Sequence, residues 1–433
     1  MKITHVVARL TSVVACSSAL LSACGGGDDP PVQPVVIQAG AGTPNTVTRW
    51  NEIATTTSTQ PNATTGTPEE MSGNTTFDLA TMHVAMYDAV VSIAGGYAPF
   101  TVTPAAITAG ASQEAAAISA AYNVLKGLFP ARSALYQPTY DSMLAAIPNG
   151  NAKTLGVAVG VEVATGVLSS RANDGRIQTL PAFVPGTGAG QFRGPAIVGR
   201  TSPFVRPFAL TSASQFRAPG PQALSSATYA ADFNETRTLG AATGSTRTAE
   251  QSTAGLFHTE PPPLFWTRNM RQFSMTGNRS LAEQARLAAM IWVSQSDASI
   301  TCFESKYFHL FWRPFSAIAL ADTDGNDATT ADSTWAPFQP TPAHPEYPAA
   351  HGCAGGAAAE TIAIFFGTND VTYDFTSNAS GTSQHYTSVG ALIDDITIGR
   401  IAGGMHFRSS VVDGATLGRN VAAWISQNKF QAR

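Results

Sequence analysis

Charge is scarce in this sequence. Lys, Arg, Asp and Glu make up 12% of its 433 residues against 44% hydrophobic, and 25 basic residues face 29 acidic ones for a formal net charge of −4. No basic block occurs, which excludes a nucleic-acid binder held by phosphate contacts. No unbroken apolar run approaches the roughly 20 residues that cross a bilayer. The best stretch, Ala354 to Phe366, is short and carries Glu360, so a soluble body is expected rather than a membrane bundle. The metal motifs are missing as well. His-Glu-x-x-His does not occur, although His309, His344, His351, His385 and His406 all lie in the last third. Asp322 to Asp327 begins like a calcium loop, but with Asp327 at position six and Ser333 at position twelve it reads as an acidic surface turn. Low charge does not mean disorder here, because aliphatic and aromatic residues run through most of the chain.

The first residues read as an address. Met1 to Ala23 opens with Lys2 and Arg9 and no acid, continues through a modestly apolar stretch and ends in Leu21-Ser22-Ala23-Cys24. That is a secretory signal pattern, and its last four residues resemble a bacterial lipobox in which Cys24 becomes the lipidated N-terminus. Gly25 to Pro31 follows as a hydrophilic tether. Losing Lys2 and Arg9 leaves 23 basic against 29 acidic residues, or −6, so attachment to a membrane is expected only through the N-terminal lipid. The expected organisation is a signal peptide at 1–23, a lipid-anchor tether and linker at 24–46, and an all-α domain at 47–433 whose chemistry lies in 300–428. The expected location is the periplasm or the cell surface.

Helical periodicity dominates the body. Leu79, Met82, His83, Met86, Val90 and Ile93 recur at three- and four-residue spacing, the mark of a helix with one buried face. Ala105 to Leu128, Ala152 to Ala172, Thr248 to Leu256, Leu281 to Ser296, Phe303 to Trp312, Gly352 to Phe366, Tyr386 to Ile401 and His406 to Asn428 repeat that texture. Leu180 to Pro221, rich in Pro, Gly and Phe, reads as an irregular excursion. Strand-like alternation is scarce, so the expected fold class is all-α, built from antiparallel helix pairs in helical bundles. His83 and Asp88 fall within an apolar face and read as buried, hydrogen-bonded groups, and Met82 and Met86 as core.

Three segments of the last third carry chemistry. Lys306 precedes Arg313-Pro314 by seven residues, a spacing that puts two cations on one helix face, with Arg313 as the helix end. Pro348-Ala349-Ala350-His351 runs straight into an apolar helix, which places His351 at a helix N-terminus suited to an anion. Arg400 and His406 flank Gly403-Gly404, which break one helix and let His406 open the next. Three cations, two histidines and a helix start are what a tetrahedral oxyanion needs.

Lys306-x6-Arg313-Pro314, Pro348-Ala349-Ala350-His351 and Arg400-x5-His406 resemble the three-part signature shared by vanadium-dependent haloperoxidases and type 2 phosphatidic acid phosphatases. Trp50-Asn51-Glu52, Met82 to Ala89, Arg171 to Gly175, Gln215-Phe216 and His344-Pro345-Glu346-Tyr347-Pro348 extend the likeness to bacterial haloperoxidase-type members, over roughly Val47 to Trp424. The resemblance implies vanadate as cofactor, with Lys306, Arg313 and Arg400 neutralising its oxygens and the Ala350 N–H donating to one. It makes His406 the vanadium ligand and His351 the acid–base group. It places His344 where bromide-selective members carry a second histidine, so bromide or iodide is favoured over chloride. Hydrogen peroxide, halide and a small organic acceptor are the implied partners, with no nucleic acid, and a homodimer is allowed. The resemblance also brings Cys302 and Cys353 near one site, as a disulfide or as two buried free thiols.

Two departures stand out. Ala349 replaces the Ser of the family pattern, removing one hydroxyl donor, and Ala350 replaces Gly. The acid that usually follows the ligand histidine by four residues is here Asp413, seven on, read as supporting His406 from the same helical face. Vanadate and phosphate share shape and charge. A phosphoric monoester hydrolase with His406 as nucleophile therefore uses the same pocket, and a non-catalytic anion-binding lipoprotein is the reading that Ala349 favours.

Overall fold

The computed structural model describes residues 34–37, 44–59, 74–195 and 198–433. The signal peptide, Cys24 and the Gly-rich tether lie outside the described residues. A two-residue strand, β1 (Val35–Val36), precedes α1 (Thr46–Thr59), α2 (Asn74–Ala94), α3 (Gln113–Leu128), α4 (Gln137–Ala145) and α5 (Asn151–Ser170), which pack as a first bundle. After an irregular stretch come α6 (Ala227–Leu239), α7 (Ala249–Phe257), α8 (Pro262–Met275) and α9 (Leu281–His309). The second bundle adds α10 (Pro314–Ala319), α11 (Ala350–Phe366), the hairpin β2 (Val371–Ser377) and β3 (Thr382–Tyr386), α12 (Val389–Ala402) and α13 (Arg408–Asn428). The all-α expectation holds with one addition, a small sheet in the order β1-β2-β3 whose first pair is parallel.

The spine is α9. Its 29 residues span roughly 43 Å and pack on α2 in the first bundle and on α11 and α13 in the second. Ser280 and Glu283 close a capping box at its start, and Leu310, at φ 50°, ends it. The sequence suggested two helices here because Ser294, Gln295, Ser296 and Asp297 interrupt the apolar run. All four are buried inside the continuous helix, and the Asp297 carboxylate accepts the backbone N–H groups of Phe208, Ala209 and Leu210, pinning the irregular stretch to α9. Asp88 does the same from α2 for Phe100, Thr101 and Val102, and His83 pairs with Asn51 at 2.8 Å.

Several boundaries move. The segment read as linker is docked at 34–37, where Val35 and Val36 pair with β2 and Ile37 is buried. Tyr386 ends a strand rather than opening a helix, because Val371, Tyr373, Phe375 and Ser377 alternate inward. Helices α4, α6, α8 and α10 escaped the sequence reading; of these α4 and α6 have weak apolar faces. Two helices, α2 and α5, prove long and apolar enough to cross a membrane, contrary to the expectation that none would. In α2 the most apolar window is 83% buried within the protein, as befits a core helix.

The second bundle closes on glycine. A Cβ at Gly356 would lie 2.1 Å from the Ala415 carbonyl oxygen, and one at Gly418 2.1 Å from that of Cys353; Gly352 and Gly414 meet backbone in the same way. Helices α11 and α13 thus touch main chain to main chain along two glycine pairs spaced four apart. Gly356→Ala is expected to cost about 1–3 kcal/mol by forcing that backbone contact apart. Gly355→Ala, whose Cβ meets only the side chains of Ile396 and Ile393, costs less. Urea unfolding of the two variants makes the comparison.

Candidate active site

Lys306 sits in the last turn of α9, but Arg313 is not on that helix. The break at Leu310 replaces the expected continuous face with an extended return, and Arg313 becomes the N-cap position of α10. The two cations still converge, because both reach the segment before α11. Lys306 Nζ donates to the carbonyls of Pro345 (3.0 Å) and Glu346 (2.9 Å). Arg313 donates through Nε to the His344 carbonyl, through Nη1 to the Met405 carbonyl and His406 Nε2 (3.0 Å), and through Nη2 to the Pro342 carbonyl, while His344 Nδ1 lies 3.0 Å from both Nη2 and the Pro345 carbonyl. Arg400, at the end of α12, donates to the His258 carbonyl and leaves its buried Nε without a partner.

His406 lies in the loop before α13, not on the helix, which begins at Arg408. This corrects the expected support from Asp413, since helical spacing does not apply from a residue outside the helix. Asp413 instead accepts from the Tyr347 hydroxyl at 2.7 Å. The carboxylate on His406 is Glu346, whose Oε1 accepts from His406 Nδ1 (2.9 Å) and from the Phe407 N–H (3.0 Å). Because Arg313 can only donate and Glu346 Oε1 accepts, the proton is assigned to Nδ1 and the lone pair to Nε2. Glu346 stands within His344-Pro345-Glu346-Tyr347-Pro348, whereas helical spacing from His406 points past it to Asp413.

The cluster is electrostatically unbalanced. Lys306, Arg313 and Arg400 are each at most 1% exposed, and the carboxylate that faces them is Glu346, itself fully buried. Burial first, then mutual repulsion, holds Lys306 well below its ordinary pKa and Arg400 at about 9, while burial alone outweighs the pull of Glu346 to set Arg313 at about 10. Burial raises Glu346 to about 7 despite Arg313 and Lys306. The same burial, with neighbouring cations, holds His344, His351 and His406 well below 6.5, so all three imidazoles are neutral near pH 7. A buried excess of positive charge calls for an anion. His351, second residue of α11, carries a buried Nε2 with no partner. It lines, with His344, Ala350, Arg400 and His406, one cavity of about 500 Å³. Lys306 and Arg313 stand directly behind that wall. Among the described residues no group of three His, Cys, Asp or Glu side chains could hold a metal ion alone.

Cys302 and Cys353 form a disulfide, with Cα atoms 6.3 Å apart, that ties the helix of Lys306 to the helix of His351. Ala349 is buried at the N-cap of α11 with no side-chain cap.

Residues 286–432 match the family model described as the VCPO second helical-bundle domain. The chain is also similar to the crystal structure of a bacterial vanadium-dependent iodoperoxidase, with TM-score 0.69 and 21% identity over 89% of this chain and 95% of that one. It has the vanadium haloperoxidase fold. Holo and apo structures of a bacterial vanadium-dependent chloroperoxidase superpose on that fold with TM-score 0.64 at 14% identity, covering 81% and 83% of this chain and 90% and 94% of theirs. No curated protein matches the sequence. Of the motif residues expected from sequence, His344, Ala350, His351, Arg400 and His406 line the cavity, Lys306 and Arg313 stand behind its wall, and Asp413 is bound to Tyr347 instead.

Glu346→Leu would strand the His406 and Phe407 N–H groups and leave three buried cations uncompensated, an expected loss of about 3–5 kcal/mol in unfolding free energy. Glu346→Gln keeps an acceptor oxygen and is expected to fold. It should bind vanadate about 10–100-fold more weakly, through a less basic His406, while its affinity for sulfate, which takes no bond from imidazole, does not fall. Equilibrium dialysis with the two anions separates these effects.

Proposed function

We propose that the chain is a vanadate-dependent haloperoxidase that oxidises bromide or iodide with hydrogen peroxide. The observation that carries this reading is the buried cluster of Lys306, Arg313 and Arg400 around a histidine whose Nε2 lone pair is set by Glu346. The likeness in fold to an iodoperoxidase supports it.

The residues present fit a tetrahedral oxyanion. The unpartnered Arg400 Nε and His351 Nε2, and the Arg313 donor now engaged by the His406 lone pair, are the groups such an anion would take up. His406 Nε2 would be its ligand, with the Ala350 N–H at the start of α11 beside it. Bound there, vanadate supplies Lewis-acid activation of peroxide toward halide. The overall change is H2O2 + X− + H+ → HOX + H2O.

The protein's own contributions follow from the geometry. Lys306, Arg313 and Arg400 offset the charge of the anion in a site shielded from water, where fixed charges act most strongly. Glu346 orients His406 and raises the basicity of Nε2. Neutral His351 takes a proton at Nε2 and returns it, as the uptake of one proton per turnover requires. His344 lines the cavity wall, with Phe303 edge-on at 5.3 Å, where its imidazole would meet halide. Export and lipidation at Cys24 complete the proposal, and the Cys302–Cys353 disulfide accords with an oxidising compartment.

A phosphoric monoester hydrolase would use the same His406 lone pair as nucleophile. The deciding assay is bromination and iodination by peroxide with and without added vanadate, alongside hydrolysis of a phenyl phosphate. Vanadate-dependent turnover that His406→Ala lowers at least a hundredfold supports the haloperoxidase. Hydrolysis inhibited by vanadate replaces it with the phosphatase, and anion binding without either turnover leaves a binding protein. His344→Phe is expected to lower kcat/KM for bromide and iodide while sparing vanadate affinity, as read by halide-resolved kinetics.

A further inference from the structure

The cavity that reaches His406 extends well beyond the oxyanion site. Its volume of about 500 Å³ lies within the range of roughly 300–1,000 Å³ that encloses small organic ligands. One wall is a single face of α9. Gln295, Ser299, Cys302 and Phe303 line it at spacings of four and three residues, and Lys306 continues the same stripe into the cation cluster. From Phe303, beside His344, to Gln295 the helix climbs eight residues, roughly 12 Å. The cavity is therefore long, with the oxyanion groups at one end.

Its far end is polar but carries no ionised group. Gln295 is 4% exposed, and its Nε2 has no hydrogen-bond partner. Thr76, held against α9 by the bond from Ser296 Oγ to its carbonyl, and Ser299 both line the cavity there, and neither hydroxyl is engaged among the described residues. Buried polar groups are nearly always satisfied, so an unsatisfied carboxamide flanked by two open hydroxyls marks a place where something else makes those bonds. A half-turn of the amide exchanges its donor and acceptor ends without changing its shape, so it suits a hydroxyl or a carbonyl equally. Much of the remaining lining is apolar, with Pro262, Pro340, Pro342, Phe303, Ala354 and Val198 beside the polar Thr259 and Gln339.

We infer that this arm binds an uncharged organic molecule with a compact apolar or aromatic body and one hydroxyl or carbonyl, its polar end on Thr76, Gln295 and Ser299 and its body against Phe303. A carboxylate or phosphate at that end is disfavoured, because Arg400, part of the oxyanion site, is the cation among the residues that line the cavity. The inference deepens the proposed haloperoxidase by naming the class of acceptor its site takes. It rests on that reading only for the fate of the bound molecule.

Equilibrium dialysis of the vanadate-free protein against 2-naphthol, read by the fluorescence of the naphthol, tests it. Saturable binding of one molecule per chain is expected. Naphthalene, which lacks the hydroxyl, should bind about fivefold to tenfold more weakly, as loss of one neutral hydrogen bond implies. Gln295→Leu should weaken 2-naphthol by a similar factor and leave naphthalene unchanged, and Ser299→Ala should have a smaller effect in the same direction. Equal binding of the two compounds by the wild-type protein, or no saturable binding of 2-naphthol, overturns the inference even if Gln295→Leu fails to fold. Because these measurements need neither peroxide nor vanadate, they stand whether or not the proposed activity is found. Turnover with no naphthol binding would overturn the binding arm alone.

Discussion

The contact that the site depends on is main chain against main chain. At Gly352, Gly356, Gly414 and Gly418 there is no room for a Cβ, so α11 and α13 approach closely enough for their first turns to share one small volume. His351 starts the first of these helices and His406 sits just before the second. The Ala349 N–H donates to the Ser410 carbonyl, and the Phe407 N–H to Glu346, so the segments that precede both helices are stitched to each other. With those ends fixed, α9 supplies Lys306 from one side and α12 supplies Arg400 from another. The histidine pair is thus a consequence of helix packing, and the cations are delivered to it.

What that packing encloses is costly. Three cations and one carboxylate removed from water give a cluster that the carbonyls of Pro342, His344, Pro345, Glu346, Met405 and His258 hold by hydrogen bonds without neutralising. Burial first, and mutual repulsion after it, depress the affinity of Lys306 and Arg400 for protons. A tetrahedral oxyanion restores the balance and is favoured by the very groups that destabilise the protein without it. Stability given up in building the pocket becomes affinity for its ligand.

The sequence displayed the chemistry more plainly than the geometry. Lys306, Arg313, His351, Arg400 and His406 were readable because each stands in a local pattern of Pro, Gly and apolar residues that survives without tertiary context. Their arrangement was not readable. Seven-residue spacing suggested one helical face for Lys306 and Arg313, whereas Leu310 in the left-handed region breaks the helix between them. The same arithmetic from His406 pointed to Asp413, whereas the helix begins two residues later and the acid comes from Glu346, sixty residues upstream. Buried polar residues misled in the opposite sense. Ser294 to Asp297 looked like a gap between helices, although Asp297 finds its partners in a loop and Ser296 finds one on α2, far off in sequence. Local periodicity detects burial against oil, and it is blind to burial against a partner.

The disulfide fits the proposed chemistry from another direction. Cys302 lines the cavity that opens on His406, and a thiolate in that wall would be open to attack by an oxidised halide. Pairing with Cys353 removes the nucleophile and, in the same bond, joins α9 to α11 at the point where Lys306 and His351 must keep their spacing. Two free thiols would have offered neither protection nor constraint. Met405 is the softer neighbour that remains, buried at the cavity wall with its carbonyl held by Arg313. A site that makes hypohalous acid has reason to pass the oxidant quickly to an acceptor, and the polar-ended arm along α9 places such an acceptor within the same enclosure.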